Sequence, residues 1–258
     1  MGRKLDHARS LYLDGIRDGK AREAVEAFTG DRYTQHSTGV RDGVEGFVEF
    51  FSEFIERNPQ REIDIVRGFE DGRYVFVHAY QNINDGEAQW VTMDFFDTDA
   101  DDKIIEHWDV IAAYSPSTPS GHTSVDGTAE ITDLDRTEAN KDLVRAMIAD
   151  VLIPGGDPTR IDQYISSETY IQHNAEVPDG IESFRTLATQ ENPPLLYDEI
   201  VLLVGCGNFV ASLSRAYFQG IEYAQADLFR LEDGKIVEHW DAAEPTPSPE
   251  DSVNSGKF

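Results

Sequence analysis

Two stretches of this sequence place two carboxylates, an imidazole and an indole in the same order: Glu106-His107-Trp108-Asp109 and Glu238-His239-Trp240-Asp241. Carboxyl and imidazole groups exchange protons near neutral pH once burial or neighbouring charge shifts their pKa values, so these residue types point to general acid–base chemistry. Each copy follows a lysine and an apolar pair, Lys103-Ile104-Ile105 and Lys235-Ile236-Val237, as a strand would. Residues two apart on a strand share a face. His107 therefore goes with Asp109 and His239 with Asp241, and these are the faces to examine for a pocket. Glu106, Trp108, Glu238 and Trp240 fall on the opposite faces and are expected to pack or to hold the two halves together.

The recurrence extends backwards. Asp94-Phe95-Phe96 answers to Asp227-Leu228-Phe229, Trp90 to Tyr223, Asp42-Gly43 to Asp179-Gly180, and Tyr33-Thr34-Gln35-His36 to Tyr170-Ile171-Gln172-His173. A repeated unit of roughly a hundred residues describes paired domains, not a solenoid of short repeats. The spacing predicts domains over residues 1–114 and 133–244. Between and after them lie residues 115–132, rich in Ser, Thr, Pro and Gly, and 245–258, with three prolines; both are expected as flexible connections.

These residues need elements to position them. Leu5, Ala8, Leu11, Tyr12 and Ile16 recur at helical spacing, and a second short helix covers 21–28. Asp42 can cap a third helix bearing Val44, Phe47, Val48, Phe51, Phe54 and Ile55, which Asn58-Pro59 stops. Strand-like runs follow at 61–69, 74–80, 88–96 and 103–113, separated by Gly- and Asp-rich turns. The second half repeats the order, with helices at 141–151, 160–165 and 180–190 and strands at 197–204, 208–218, 221–231 and 235–242. The fold class expected is α+β: two tandem cones, each with N-terminal helices packed on a curved antiparallel sheet and a cavity between the layers. In such a sheet Asp94 lies near the same cavity as Asp109, and Trp90 faces the same way as Asp94.

The closing Gly-Lys-Ile-Val-Glu-His-Trp-Asp stretch at 234–241, the Tyr-x-Gln-His phrase and the Asp-(Phe/Leu)-Phe phrase resemble the SnoaL-like polyketide cyclase family of the nuclear transport factor two-like superfamily. The resemblance covers nearly all of both halves. It implies that the closing-motif aspartates, Asp109 and Asp241, are the acid–base residues. It also implies that residues at or near His36 and Asp94, with His173 and Asp227, bind the substrate or polarise its carbonyl. Together with the strand geometry, the substrate-binding candidates are His36, Trp90, Asp94, His107, His173, Tyr223, Asp227 and His239. Single-cone relatives pair through their sheets, so the tandem chain is expected to form an intramolecular pseudo-dimer.

Net charge is −27, from 49 acidic and 22 Lys and Arg residues, which disfavours nucleic acid and anionic membrane surfaces as partners. No stretch approaches the ~20 apolar residues of a membrane helix, and the opening residues lack an apolar secretory core, so a cytoplasmic location is expected. Cys206 is the lone cysteine and reads as a small buried residue. No ligand spacing supports a metal site and no phosphate-binding glycine motif supports a nucleotide, so no cofactor is expected. Two functions remain. One is a small-molecule enzyme using cofactor-free acid–base chemistry on an apolar carbonyl compound, by aldol cyclisation or isomerisation. The other is a noncatalytic ligand-binding or protein-interaction module of the same fold.

Overall fold

Leu5 and Ala8 lie on the buried face of helix α1, Arg3–Ser10, in the computed structural model, which describes residues 2–258. The face continues through Leu11, Tyr12 and Ile16 along a π-helical stretch, Leu11–Arg17. Helix α2, Ala21–Phe28, adds Ala24 and Val25, and α3, Gly43–Arg57, presents Phe47. These residues pack on one face of a five-stranded sheet made of β1 (Thr29–Gln35), β2 (Arg61–Asp71), β3 (Tyr74–Ile83), β4 (Ala88–Thr98) and β5 (Ile104–Ala113). The spatial order is β1-β5-β4-β3-β2. Strands β2 to β5 form the expected antiparallel meander, whereas β1 joins the edge of β5 in parallel.

The second half repeats this plan. Helix α4, Thr137–Met147, runs into a π-helical turn, Ile148–Leu152, and buries Val144, Met147, Ile148 and Val151. Strand β6 (Ile171–Gln172) and helix α5 (Ile181–Ala188) precede β7 (Leu195–Cys206), β8 (Phe209–Phe218), β9 (Ile221–Glu232) and β10 (Lys235–Pro245). The order β6-β10-β9-β8-β7, with β6 parallel to β10, is that of the first sheet. The helix expected at 160–165 is instead a 3-10 turn, Pro158–Gln163: Asp157 accepts a hydrogen bond from Thr159 N and Pro158 occupies the first position. Cys206 is partly exposed at the end of β7, not buried.

Asp42 does not cap α3. Its Oδ1 accepts from Gln35 N at 2.8 Å, and Asp179 Oδ1 accepts from Gln172 N at the same distance. Each aspartate thus ties a strand end to the start of the following helix. The glycine after it takes φ of 80° (Gly43) or 90° (Gly180), a turn that side-chain-bearing residues avoid.

The chain divides into two units, one up to Ala113 together with Thr246–Phe258, the other Tyr114–Pro245. Each unit therefore includes the segment that follows the other's last strand. Both segments, expected as flexible connections, make defined hydrogen bonds. Asn254 Nδ2 donates to the Ser37 and Val40 carbonyls at 2.7 and 2.9 Å, and Val253 N donates to Thr38 O at 3.0 Å. In the second unit Trp240 Nε1 donates to Asp126 O at 2.9 Å, and Asp179 N to Ser120 Oγ at 2.7 Å. Composition misleads here because these polar residues bond to backbone groups elsewhere in their unit instead of to water.

One turn gives a test of this framework. Gly207, between β7 and β8, has φ of 59°, and a Cβ there would collide with the Thr132 carbonyl. Gly207→Ala is expected to destabilise the protein by at least ~1–2 kcal/mol, the cost of a left-handed L-residue, read from its urea midpoint.

Candidate active sites of the two units

The parallel pairing of β1 with β5 sets Gln35 beside His107, and β6 with β10 sets Gln172 beside His239. The antiparallel pairing of β4 with β5 sets Asp94 opposite Asp109, and β9 with β10 sets Asp227 opposite Asp241. Side chains directly opposite on one face have Cβ atoms ~4.5–5.5 Å apart. Three phrases distant in sequence thus meet on one face of each sheet.

In the first unit His107 Nδ1 lies 2.9 Å from Gln35 Oε1, and Gln35 Nε2 donates to Tyr33 Oη at 2.9 Å. An amide oxygen only accepts, so Nδ1 carries a proton. Nε2 faces Asp94 Oδ1 at 2.9 Å, which places a second proton between them. Tyr12 Oη donates to the same oxygen at 2.7 Å. Burial raises the pKa of Asp94 against the His107 contact, and its Oδ2 has no donor among the described residues. Asp109 differs. Burial opposes its ionisation, but the Lys257 ammonium, 2.8 Å from Oδ1, together with His107 and Ser37, holds its pKa below the ordinary aspartate value.

The second unit keeps the histidine and changes its surroundings. His239 Nδ1 lies 2.9 Å from Gln172 Oε1, and Nε2 lies 3.1 Å from Asp227 Oδ1. Asp227 also accepts from Tyr197 Oη at 3.0 Å, Ser212 Oγ at 3.3 Å and Gln225 Nε2 at 3.1 Å. A carboxylate filled by these donors is an acceptor only, so the shared proton sits on His239. Burial works against that proton, but the bond to Asp227 and the nearby Asp241 outweigh it and raise the His239 pKa. Asp241 receives Asn174 Nδ2 at 2.8 Å and Gln225 Nε2 at 3.3 Å, both on Oδ2. Its pKa is raised, by burial first and by Asp227, despite the opposing His239 charge.

Each set opens on a cavity. The first, of about 190 Å³, has Asp109, His107 and Gln35 at its polar end and Phe47, Phe54 and Trp90 among its walls. The second, of about 500 Å³, has Asp241, His239 and Asp227 at its polar end, with Tyr223, Phe184 and Leu187 among its walls. Only the second falls within the ~300–1,000 Å³ of pockets for drug-sized molecules. Asp109 is 5% exposed, whereas Asp241 is partly exposed toward its cavity. Among the described residues no three His, Cys, Asp or Glu groups are placed to hold a metal ion, and no helix is long and apolar enough to cross a membrane.

The structure therefore brings together Trp90, His107 and Asp109 in one cavity, with Asp94 behind His107, and Tyr223, Asp227, His239 and Asp241 in the other. It does not bring His36 and His173 there. One residue on from the inward Gln35 and Gln172, they lie on the opposite face of the sheet. His36 donates Nδ1–H to the Gly256 carbonyl at 2.8 Å, lies 3.0 Å from Glu106 and stacks on Trp108 at 4.8 Å. His173 does the same with Thr123 O, Glu238 and Trp240. The tryptophans, expected to hold the halves together, pack under a histidine of their own unit.

Sequence reasoning missed Gln35, Gln172, Tyr33 and Tyr170 as site residues although all lie in a repeated phrase. It also missed Tyr12, Tyr197, Asn174 and Lys257, which have no repeated counterpart to flag them.

Behind the second sheet Glu238 is 3% exposed, bonded to His173 and to Arg230 Nε at 2.5 Å. Burial opposes its charge, but these partners lower its pKa. The stabilisation is present above the ordinary glutamate value, ~4.3, and is lost as pH falls through the lower folded value. Urea midpoints should drop on acidification below about pH 4, and Glu238→Gln should reduce that drop.

Residues 10–107 match the sequence model of the SnoaL-like domain. The first unit contains a SnoaL-like domain. That domain takes in Tyr12, Gln35, Asp94 and His107 and stops two residues before Asp109. Similar solved structures include a candidate polyketide cyclase from Bacillus cereus, 19% identical over 42% of this chain and 74% of that one, with a TM-score of 0.37. IdmH from Streptomyces antibioticus is 15% identical over 43% of this chain and 92% of its own, with a TM-score of 0.37. An epoxide hydrolase from M. tuberculosis is 18% identical over 42% and 82%, with a TM-score of 0.36. No curated protein matches the chain.

Proposed function

We propose that this protein is a small-molecule enzyme that moves a proton at a carbon beside a carbonyl, without a cofactor, so isomerising or cyclising an apolar substrate in the second cavity. The observation that carries this reading is Asp241: a carboxyl with raised pKa, partly exposed at the polar end of a 500 Å³ apolar cavity. Asn174 and Gln225 both donate to Oδ2 and so orient the group, while no side chain among the described residues bonds Oδ1.

Ionised Asp241 takes the proton from the α-carbon. The C–H electron pair becomes the enolate double bond and the carbonyl pair moves onto oxygen. The positive charge of His239, held by Asp227 and Gln172, lowers the energy of that oxyanion in a site of low dielectric. Protonated Asp241 then returns the proton to another carbon, or to the alkoxide formed when the enolate carbon attacks a second carbonyl of the same molecule.

The test needs no natural substrate. Exchange of the α-hydrogens of 2-tetralone in D₂O, followed by NMR, should be accelerated by the protein. The rate should rise as pH passes the Asp241 pKa, raised above the ordinary aspartate value, and fall as His239, whose pKa is raised above that of a free imidazole, loses its proton. Binding of 2-tetralone without accelerated exchange would favour the noncatalytic binding module.

A further inference from the structure

The two cavities share their histidine, glutamine and paired aspartates, but the closing aspartate has a different partner in each. In the second unit the closing aspartate meets two neutral amides. In the first, the 246–258 segment docks along the loop after β1 and delivers Lys257, 4% exposed, whose Nζ lies 2.8 Å from Asp109 Oδ1. A buried ammonium has no reason to sit there unless a buried carboxylate holds it, because each charge alone would carry a large desolvation cost.

We propose that Lys257 withdraws the first cavity from proton transfer: it fixes Asp109 as a carboxylate, so this cavity holds a compact apolar molecule unchanged while the second does the chemistry. The inference rests on the acid–base reading of the second cavity. The groups facing Asp109 are Asp94 on β4, His107 on β5, Ser37 after β1, the hydroxyls of Tyr12 and Tyr33, and Lys257. Of these only Lys257 lacks a second-unit counterpart in charge, and it works in the sense already described, lowering the Asp109 pKa. A carboxylate neutralised by a permanent partner is a weak base and no acid. The small volume and the Phe47, Phe54 and Trp90 walls suit a bicyclic aromatic or alicyclic molecule.

The test has two readouts. In the full chain, the Asp109 carboxyl carbon, assigned by comparison with Asp109→Asn, should titrate below the ordinary aspartate value. It should move above that value in Lys257→Met and stay low in Lys257→Arg. Exchange of 2-tetralone is then compared in an Asp241→Asn background, where Lys257→Met should restore at least a tenfold acceleration that Asp109→Asn removes again. An Asp109 that titrates normally in the wild type overturns the inference, even if Lys257→Met fails to fold. So does a double variant that stays inert while the wild type exchanges. A wild type that does not exchange, with Asp109 titrating low, overturns instead the reading of the second cavity.

Discussion

Asp241→Asn is expected to lower the α-exchange rate of 2-tetralone by ~10²–10⁴-fold, the range that a positioned general base contributes. Asparagine keeps the size and the capacity to accept from Asn174 and Gln225, so the cavity should survive and the loss should fall on the rate at saturating ketone. The pH profile adds a sharper demand. The acid limb belongs to Asp241 and should vanish in Asp241→Asn, while the alkaline limb, from His239, should persist in the residual rate. Asp109→Asn is expected to leave the rate within about twofold, well below the tenfold that marks a lost catalytic contact. Full activity in Asp241→Asn would remove that carboxyl from the mechanism.

Trp240→Ala is expected to cost ~3–5 kcal/mol of stability, the loss seen when a large aromatic is cut from a close-packed core. Trp240 is 0% exposed, stacks on His173 at 4.6 Å and 9°, and donates Nε1 to Asp126 O at 2.9 Å. Removing it opens a cavity beside Phe209, 6.2 Å away, and releases a tether on the 114–132 segment. Urea unfolding measures the first effect; faster amide hydrogen exchange near Asp126 measures the second. Trp108 offers the control, being 8% exposed with an indole nitrogen that has no hydrogen-bond partner among the described residues. Phenylalanine should therefore be tolerated at 108 better than at 240, where it also loses the hydrogen bond to Asp126 O, a contribution of ~0.5–1.5 kcal/mol. Equal costs at the two positions would show that the Asp126 bond contributes nothing.

Much of the site was legible in strand alternation. The pairs His107 with Asp109 and His239 with Asp241 follow from period two, and both point into cavities. The same rule, applied to Tyr33-Thr34-Gln35-His36, would have put Gln35 and His36 on opposite faces. The resemblance favoured His36, yet the parallel pairing of β1 with β5 turns Gln35 toward His107. Tyr12 and Tyr197 show a subtler limit. Both donate a hydroxyl to the buried aspartate, one from the π-helical stretch and one from β7, so the role recurs while the position does not.

What the sequence by itself determined is the duplication, the broad order of helices and strands in each half and the face on which His107, Asp109, His239 and Asp241 stand. These rest on local chemistry, namely hydrophobic periodicity and turn residues. Only the tertiary structure decided which phrases meet and which charges balance. Asp109 and Lys257 lie 148 residues apart, and no periodicity links them. The same four-residue phrase consequently ends in a carboxylate locked by an ammonium in one unit and in a carboxyl with raised pKa in the other. Burial sets the cost of charge at both sites, and the partner that the fold supplies decides its sign.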